Sequence, residues 1–374
     1  MTKARARQET DPRYAAASIN PVALRYLAAT LRERGCDPAR LCRGLGFDVE
    51  DLERPGFRIS YRQASLMIRR SLEATGDGGL GFAVGRRETI VSWGLVGFAM
   101  MCCATLGDAV ELGLTYQQSA GALTNLSLRT DERHCALLAD QLYSDPDIEM
   151  YLIEEMFASF VAVMHQMVGP QFFPARIEVV YQAPQHSALY EATFRCPVRF
   201  GAPRNRYIMD RSWTRFLLPT HDSLVGKTVQ KLIEQTLVEE QERLDLIATV
   251  ERAIRERLAR RPPTLQEIAA RQNTSERTLR RRLADAGFTY NGLLESVRRA
   301  RALELVNHSL SPIGEVAHET GFSDIRGFRR AFKRWTGVPP NEARGLTIRA
   351  KWPPSEAAPG TDASRPSSPD SEQV

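Results

Sequence analysis

Two runs of cationic and polar side chains could do chemistry. The first is Arg277, Thr278, Arg280, Arg281 and Arg282; the second is Arg326, Arg329, Arg330, Lys333 and Arg334. Apolar residues interrupt each run at helical spacing, Leu279 and Leu283 in the first and Phe328, Phe332 and Trp335 in the second. Such a helix buries its apolar stripe in its own domain and turns the cations outward. A planar guanidinium donates paired hydrogen bonds to a guanine edge or a phosphate, so an exposed Arg-bearing helix suits the major groove of duplex DNA. The competing reading is a solvated basic face on an ordinary helical bundle. For one helix the two readings are balanced. A second helix with the same division, in the same sequence context, weighs against coincidence.

The elements that must position these helices recur as well. Leu265, Ile268 and Ala269 form the inward stripe of a short helix before the first run; Ile313, Val316 and Ala317 do so before the second. Ala269 and Ala317, Asn273 and Gly321, and Ser275 and Ser323 are all 48 residues apart. The small Ala residues let paired helices approach, and Asn and Gly accept the left-handed backbone of a tight turn. Ser275 opens the helix after the first turn, and Ser323 or Asp324 the helix after the second. These are two helix-turn-helix units. Between them Thr289 to Ser309 reads as one helix carrying Leu293, Leu294, Val297, Leu305 and Val306. Its span of about 30 Å is close to the roughly 34 Å of a DNA turn, so it could hold two recognition helices in successive major grooves.

The run GFSDIRGFRRAFKRWTGVPPNEAR (Gly321 to Arg344) closely resembles the signature of the AraC/XylS transcriptional regulators, and SERTLRRRL (Ser275 to Leu283) resembles their first recognition helix. The resemblance extends from Thr249 to Thr347. It implies base-facing roles for Arg277, Arg280 and Arg281, and for Arg326, Arg329 and Arg330. Three departures accompany it. Arg326 stands where the family often has a small polar residue, Ala343 where it has an aromatic, and Gln272-Asn273 where it has an apolar residue and Gly. Within the first half, Gly79 to Gln118 and Val198 to Asp222 resemble the effector-binding domain of one AraC subgroup. That domain is described as arabinose-binding-like, although its members answer to various small molecules, including amino acids such as ornithine. The resemblance implies a sensor without naming its ligand, and no effector-binding residue is assigned.

Charge follows the same division. Asp245 to Arg349 holds 20 Lys and Arg against 12 Asp and Glu, whereas the rest of the chain holds 30 against 33. A basic carboxyl-terminal domain on a mildly acidic body fits nucleic-acid binding by the former. The expected organisation is a flexible arm at 1–18, an α+β effector-binding domain at 19–235, and a helical linker at 236–248. An all-α double helix-turn-helix domain follows at 249–347, then a disordered tail at 348–374 rich in Pro, Ser, Ala and Asp.

Within the first domain, Asn20 is expected to cap a helix beginning at Pro21. Gly78, Gly79, Gly81 and Gly85 read as a turn in which backbone segments pack tightly rather than a phosphate cradle, since no strand precedes it and no Lys-Ser/Thr follows. Leu123 to Leu128 and Cys135 to Leu142 read as a hairpin, and Asp145 opens a long apolar helix to Val168. Strands are expected at Arg176 to Tyr181, Ala192 to Phe200 and Arg206 to Met209. Thr89 to Gly107 is uncharged, but its Gly, Thr and Cys content favours a buried core segment over a membrane span.

Catalysis finds no constellation. His134, His165, His186 and His221 are scattered without metal-ligand spacing, and no Ser sits in a nucleophile elbow. Arg195-Cys196-Pro197-Val198 departs from the Pro-Cys-His-Arg of the DNA-repair methyltransferases that carry a similar DNA-binding module. No metal or cofactor is expected. The six cysteines (36, 42, 102, 103, 135 and 196) show no disulfide framework, and with no signal peptide at the amino terminus a cytoplasmic location is expected. The reading is an effector-controlled transcription activator, dimeric through the Leu224–Leu237 helix, working on duplex DNA and RNA polymerase. Thiol sensing by Cys102 and Cys103, or effector-independent DNA binding, are the alternatives.

Overall fold

The computed structural model describes Tyr14 and residues 17–76, 78–309 and 311–344. Most of the arm at 1–18, and the tail at 348–374, lie outside the described residues. The chain divides into two compact units, Met1–Asp245 and Leu246–Val374.

The first unit is α+β. Helices α1 (Val22–Glu33), α2 (Pro38–Cys42), α3 (Tyr61–Thr75), α4 (Leu80–Gly85), α5 (Leu95–Met101), α6 (Leu106–Thr115) and α7 (Gln117–Ala120) precede a hairpin of β1 (Thr124–Thr130) and β2 (His134–Gln141). Then come α8 (Pro146–Val168), β3 (Arg176–Glu178), α9 (Ala188–Phe194), β4 (Val198–Arg199), β5 (Arg206–Asp210) and α10 (Ser223–Arg257). The strands form one sheet in the order β1-β2-β5-β3-β4, antiparallel except for β3 with β4.

Helix α8 is apolar on nearly every face because it is buried on nearly every face. Ile148, Tyr151 and Leu152 enter a core shared with α1 and α3, while Ile153, Phe157, Phe160 and Met164 enter a second core under the sheet. Helix α4 lies against it. A Cβ on Gly81 would stand 2.6 Å from the Tyr151 carbonyl, and one on Gly85 would strike the Glu155 carbonyl. Here the glycines serve close backbone approach, but within a helix rather than the expected turn. Packing against another helix supplies the stabilisation that Gly itself withholds.

Two further expectations are corrected. Residues 192–194, read as strand, belong to α9, and only Val198–Arg199 is extended. Tyr190 and Phe194, four apart, pack against Phe82, edge-on and tilted respectively, and so favour the helical period. A short apolar run cannot declare which period it will take. The Asn20 side chain does not cap α1; Pro21 occupies the cap position and no side chain serves it. In the segment Thr89 to Gly107, Gly94 at φ 63° separates a 3₁₀ turn at Ile90–Trp93 from α5. Among the described residues no helix is long and apolar enough to cross a membrane.

The second unit is helical: α11 (Leu265–Arg271), α12 (Glu276–Asp285), α13 (Tyr290–His308), α14 (Ile313–Glu319) and α15 (Ile325–Thr336). It has two cores rather than one. Leu293 and Val297 of α13 pack with α11, α12 and the end of α10, whereas Ala302, Leu305 and Val306 pack with α14 and α15. One helix of about 28 Å is therefore a shared wall of both helix-turn-helix units.

Candidate nucleic-acid interface

Both turns are built from the same bonds. In the first, Thr274 N–H donates to the Ala269 carbonyl at 3.0 Å, and in the second Phe322 N–H donates to Ala317 at 3.0 Å. The residue before each donor takes the left-handed conformation, Asn273 at φ 52° and Gly321 at φ 73°. Ala269 and Ala317 are buried at the helix crossings. Both second helices are capped at their start. Ser275 Oγ accepts from Thr278 N–H at 3.1 Å, and Asp324 Oδ1 accepts from Gly327 N–H at 2.7 Å. Ser323 is exposed, so of the two candidates Asp324 is the cap.

Asn is the side chain that tolerates this backbone best, but a residual cost remains. Asn273→Gly is expected to leave stability unchanged or raise it by up to about 1 kcal/mol, measured by urea unfolding. A loss would mean that the Asn273 side chain contributes more than its conformation.

On α12, Leu279 and Leu283 are buried while Arg277, Arg280, Arg281 and Arg282 are exposed. Thr278 is half-buried and its hydroxyl is spent on Ser275 at 2.8 Å. Arg280 pairs with Glu276 one turn earlier. On α15, Phe328, Ala331, Phe332 and Trp335 face inward, and Arg326, Arg329, Arg330, Lys333 and Arg334 face out. Arg334 is tied to Glu295 of α13 at 2.5 Å. Among the described residues, Arg277, Arg281, Arg326, Arg329, Arg330 and Lys333 have no hydrogen-bonding or ionic partner. Each unit thus presents unpaired cations on the exposed face of a capped helix, the arrangement that anions and base edges need.

Family comparisons agree with this geometry. Residues 35–216 match the profile described as the arabinose-binding domain of AraC transcription regulator, amino-terminal, and residues 268–345 match a helix-turn-helix domain. The chain belongs to the AraC family. It is 28% identical over 298 residues to the ornithine utilization regulator of Pseudomonas aeruginosa, covering 79% of this chain and 87% of that one. It is 36% identical over 88 residues to the transcriptional activator RhaR of Salmonella schwarzengrund, covering 23% of this chain and 31% of the other. Among solved structures, the regulator CdpR of Pseudomonas aeruginosa aligns over 87% of this chain and 98% of its own, at 24% identity and a TM-score of 0.45.

This AraC-family chain also contains positioning residues that its helical pattern concealed. Arg298 of α13 donates to the Gly321 carbonyl at 2.6 Å, and its guanidinium lies 4.7 Å from the centre of the Phe322 ring. Glu295 accepts from Trp335 Nε1 at 2.7 Å, and that bond, with Arg334 beside it, holds its carboxyl below the usual range. Arg301 pairs with Glu319 at 2.9 Å. Together they clamp α14, the second turn and the recognition helix to α13. In sequence they are three more charges on a long charged helix, and no local signal separates them from a solvated face.

Proposed function

We propose that this protein is a sequence-specific transcription activator that docks α12 and α15 in successive major grooves. Arg277, Thr278, Arg280 and Arg281 serve one segment, and Arg326, Arg329, Arg330 and Lys333 the next. The shared helix α13 carries the reading most directly, because one rigid element of about 28 Å sets the separation of two Arg-bearing helices. Activation is favoured by the likeness to the transcriptional activator RhaR and implies contact with RNA polymerase. A small molecule bound to the first unit would bias this activity through its different affinity for two conformations. No catalytic role is proposed, and the working compartment is that of the DNA, the cytoplasm. The test is selection of a binding site from random duplexes: two short motifs one helical turn apart support the reading, and a single motif counts against it.

Dimerisation through α10 has a specific surface. Ile233 is buried, with Val229 and Leu237 packed beside it against the first unit, while Leu224, Val225, Leu232 and Val238 are exposed. Exposed apolar side chains along one helix mark an association surface. Leu224→Glu with Leu232→Glu is expected to convert a dimer to a monomer in analytical ultracentrifugation with little change in melting temperature. A wild-type protein that is monomeric at micromolar concentration would exclude this interface.

Thiol sensing is the weaker reading. Burial pushes both neighbouring thiols up, that of Cys103 to about 11, whereas a redox-sensing cysteine works as an exposed thiolate. Iodoacetamide at pH 7.5 is expected to label Cys102 and Cys103 more than tenfold slower than free cysteine. Fast labelling, or oxidant-dependent DNA binding lost in Cys102→Ser, would restore that reading.

A further inference from the structure

The first unit holds a partly open cavity of about 70 Å³ between α1, the 3₁₀ turn at Ile90–Trp93, α5, α6, α7, the hairpin and α8. Most of its wall is apolar, including Val110, Leu137, Met156 and Phe160, yet two carboxyl groups line it, Glu88 and Glu155. Each residue is only 5% exposed. Buried carboxyl groups facing an apolar space are costly unless something partners them.

Their existing partners explain one of the two. Glu88 Oε2 accepts from Ser159 Oγ at 2.7 Å and from Trp93 Nε1 at 3.0 Å. Among the described residues Glu155 has no such donors. Burial and the adjacent Glu88 carboxylate hold its carboxyl well above the usual range, so it keeps its proton and hydrogen-bonds Glu88. The Tyr151 hydroxyl, near both acidic residues, is fully buried and unpartnered among the described residues.

The remaining polar lining offers a guest little. The Gln117 amide is committed to Leu114 O at 2.9 Å, to Leu126 O at 3.1 Å and to Leu126 N–H at 2.7 Å. Among the described residues no Lys, Arg or His lines the cavity. A carboxylate would therefore meet two acids and no cation. At one water-sized position per roughly 10–15 Å³, the space holds about five non-hydrogen atoms.

We infer that this cavity binds a small primary alkylamine, with its ammonium between Glu88 and Glu155 and its short chain against the apolar wall. The inference rests on the first unit being the effector-binding domain of the regulator. It separates this protein's ligand from a zwitterionic amino acid, whose carboxylate the site would repel. When the ammonium enters, Glu155 gives its proton to the solvent and the ammonium takes that proton's place between the two carboxylates, so the charge of the site is unchanged. The titratable side chains facing Glu155 are Glu88, after α4, and Tyr151 on α8 itself; the lining residues from α1, α6, α7 and the hairpin are not titratable. Because a proton leaves, affinity rises with pH until the free amine itself deprotonates.

The test uses the full chain with n-butylamine, 1-butanol and butyrate, by calorimetry and thermal shift. Butylamine is expected to bind at least tenfold more tightly than butanol, and butyrate not to bind. Calorimetry at pH 7 in two buffers of different ionisation enthalpy is expected to show about one proton released per amine. Glu155→Gln, which keeps the shape of the neutral acid, is expected to lose the amine preference and the proton release while still binding butanol. Butyrate binding as well as butylamine, amine binding without proton release, or no binding by any of the three overturns the proposal. Should Glu155→Gln fail to fold, the two-buffer measurement on the wild type still decides. Duplex DNA affinity in the same preparation keeps the outcomes distinct, since its loss would instead count against the regulator reading.

Discussion

Arg329→Ala is expected to weaken binding to the selected duplex by about 1–3 kcal/mol, roughly 5- to 150-fold, and to relax preference at only one or two base pairs. Arg329 is exposed on the outer face of α15 and has no partner among the described residues, so its removal breaks no intramolecular bond. Folding should be unchanged, and the whole effect should lie in the complex. Arg280→Ala is the counterpart on α12, with one difference. Arg280 pairs with Glu276, so its loss also leaves a carboxylate uncompensated near DNA phosphates, and binding should fall further. Lys333→Ala is the contrast: a phosphate contact is lost, every sequence weakens alike, and the salt slope falls by about one. Fluorescence anisotropy on the selected site and its single-base variants, at several salt concentrations, separates the cases. Equal losses on all sequences after Arg329→Ala would reduce that residue to a phosphate contact.

Gly321→Ala should have the largest effect on stability, about 3 kcal/mol. Two costs add. The backbone is left-handed at φ 73°, and a Cβ there would lie 2.5 Å from the Leu258 carbonyl. That carbonyl is backbone and cannot swing aside as a side-chain tip could. The carbonyl of Gly321 also receives the Arg298 bond, so relieving the clash by moving the turn would sacrifice the clamp to α13. Since the second helix-turn-helix has its own core, it should loosen before the first, leaving a protein that still recognises one half of its site. Urea unfolding and anisotropy on half-sites would measure both effects. A change in stability below about 1 kcal/mol would show that the turn relaxes at little cost.

The second unit was readable because its constraints are local. A 48-residue repeat, apolar residues at helical spacing, and Asn or Gly at each turn all concern side chains within a few residues of one another. The first unit was harder. The hairpin, the long helix α8 and the α+β order were legible from alternation and length. Residues 192–194 are ambiguous in sequence because a short apolar run satisfies both periods until Phe82 supplies a partner. Gly81 and Gly85 suggest a turn because glycine permits many conformations, and the neighbour that makes them helical, α8, lies about 70 positions away in the chain.

What the sequence determined by itself was the double helix-turn-helix, the outward cations and the division of charge between the two halves. Each follows from the periodicity of the chain and the chemistry of its side chains. What tertiary structure alone decided was which charges are free and which are committed. Arg298, Glu295 and Arg301 tie the second turn, α15 and α14 to α13, while Arg326 and Arg329 have no partner among the described residues, though all stand on basic helices. It also decided that Glu88 and Glu155, 67 positions apart, share one apolar cavity. Electrostatic roles depend on distance and burial, and those exist only once segments remote in sequence have packed.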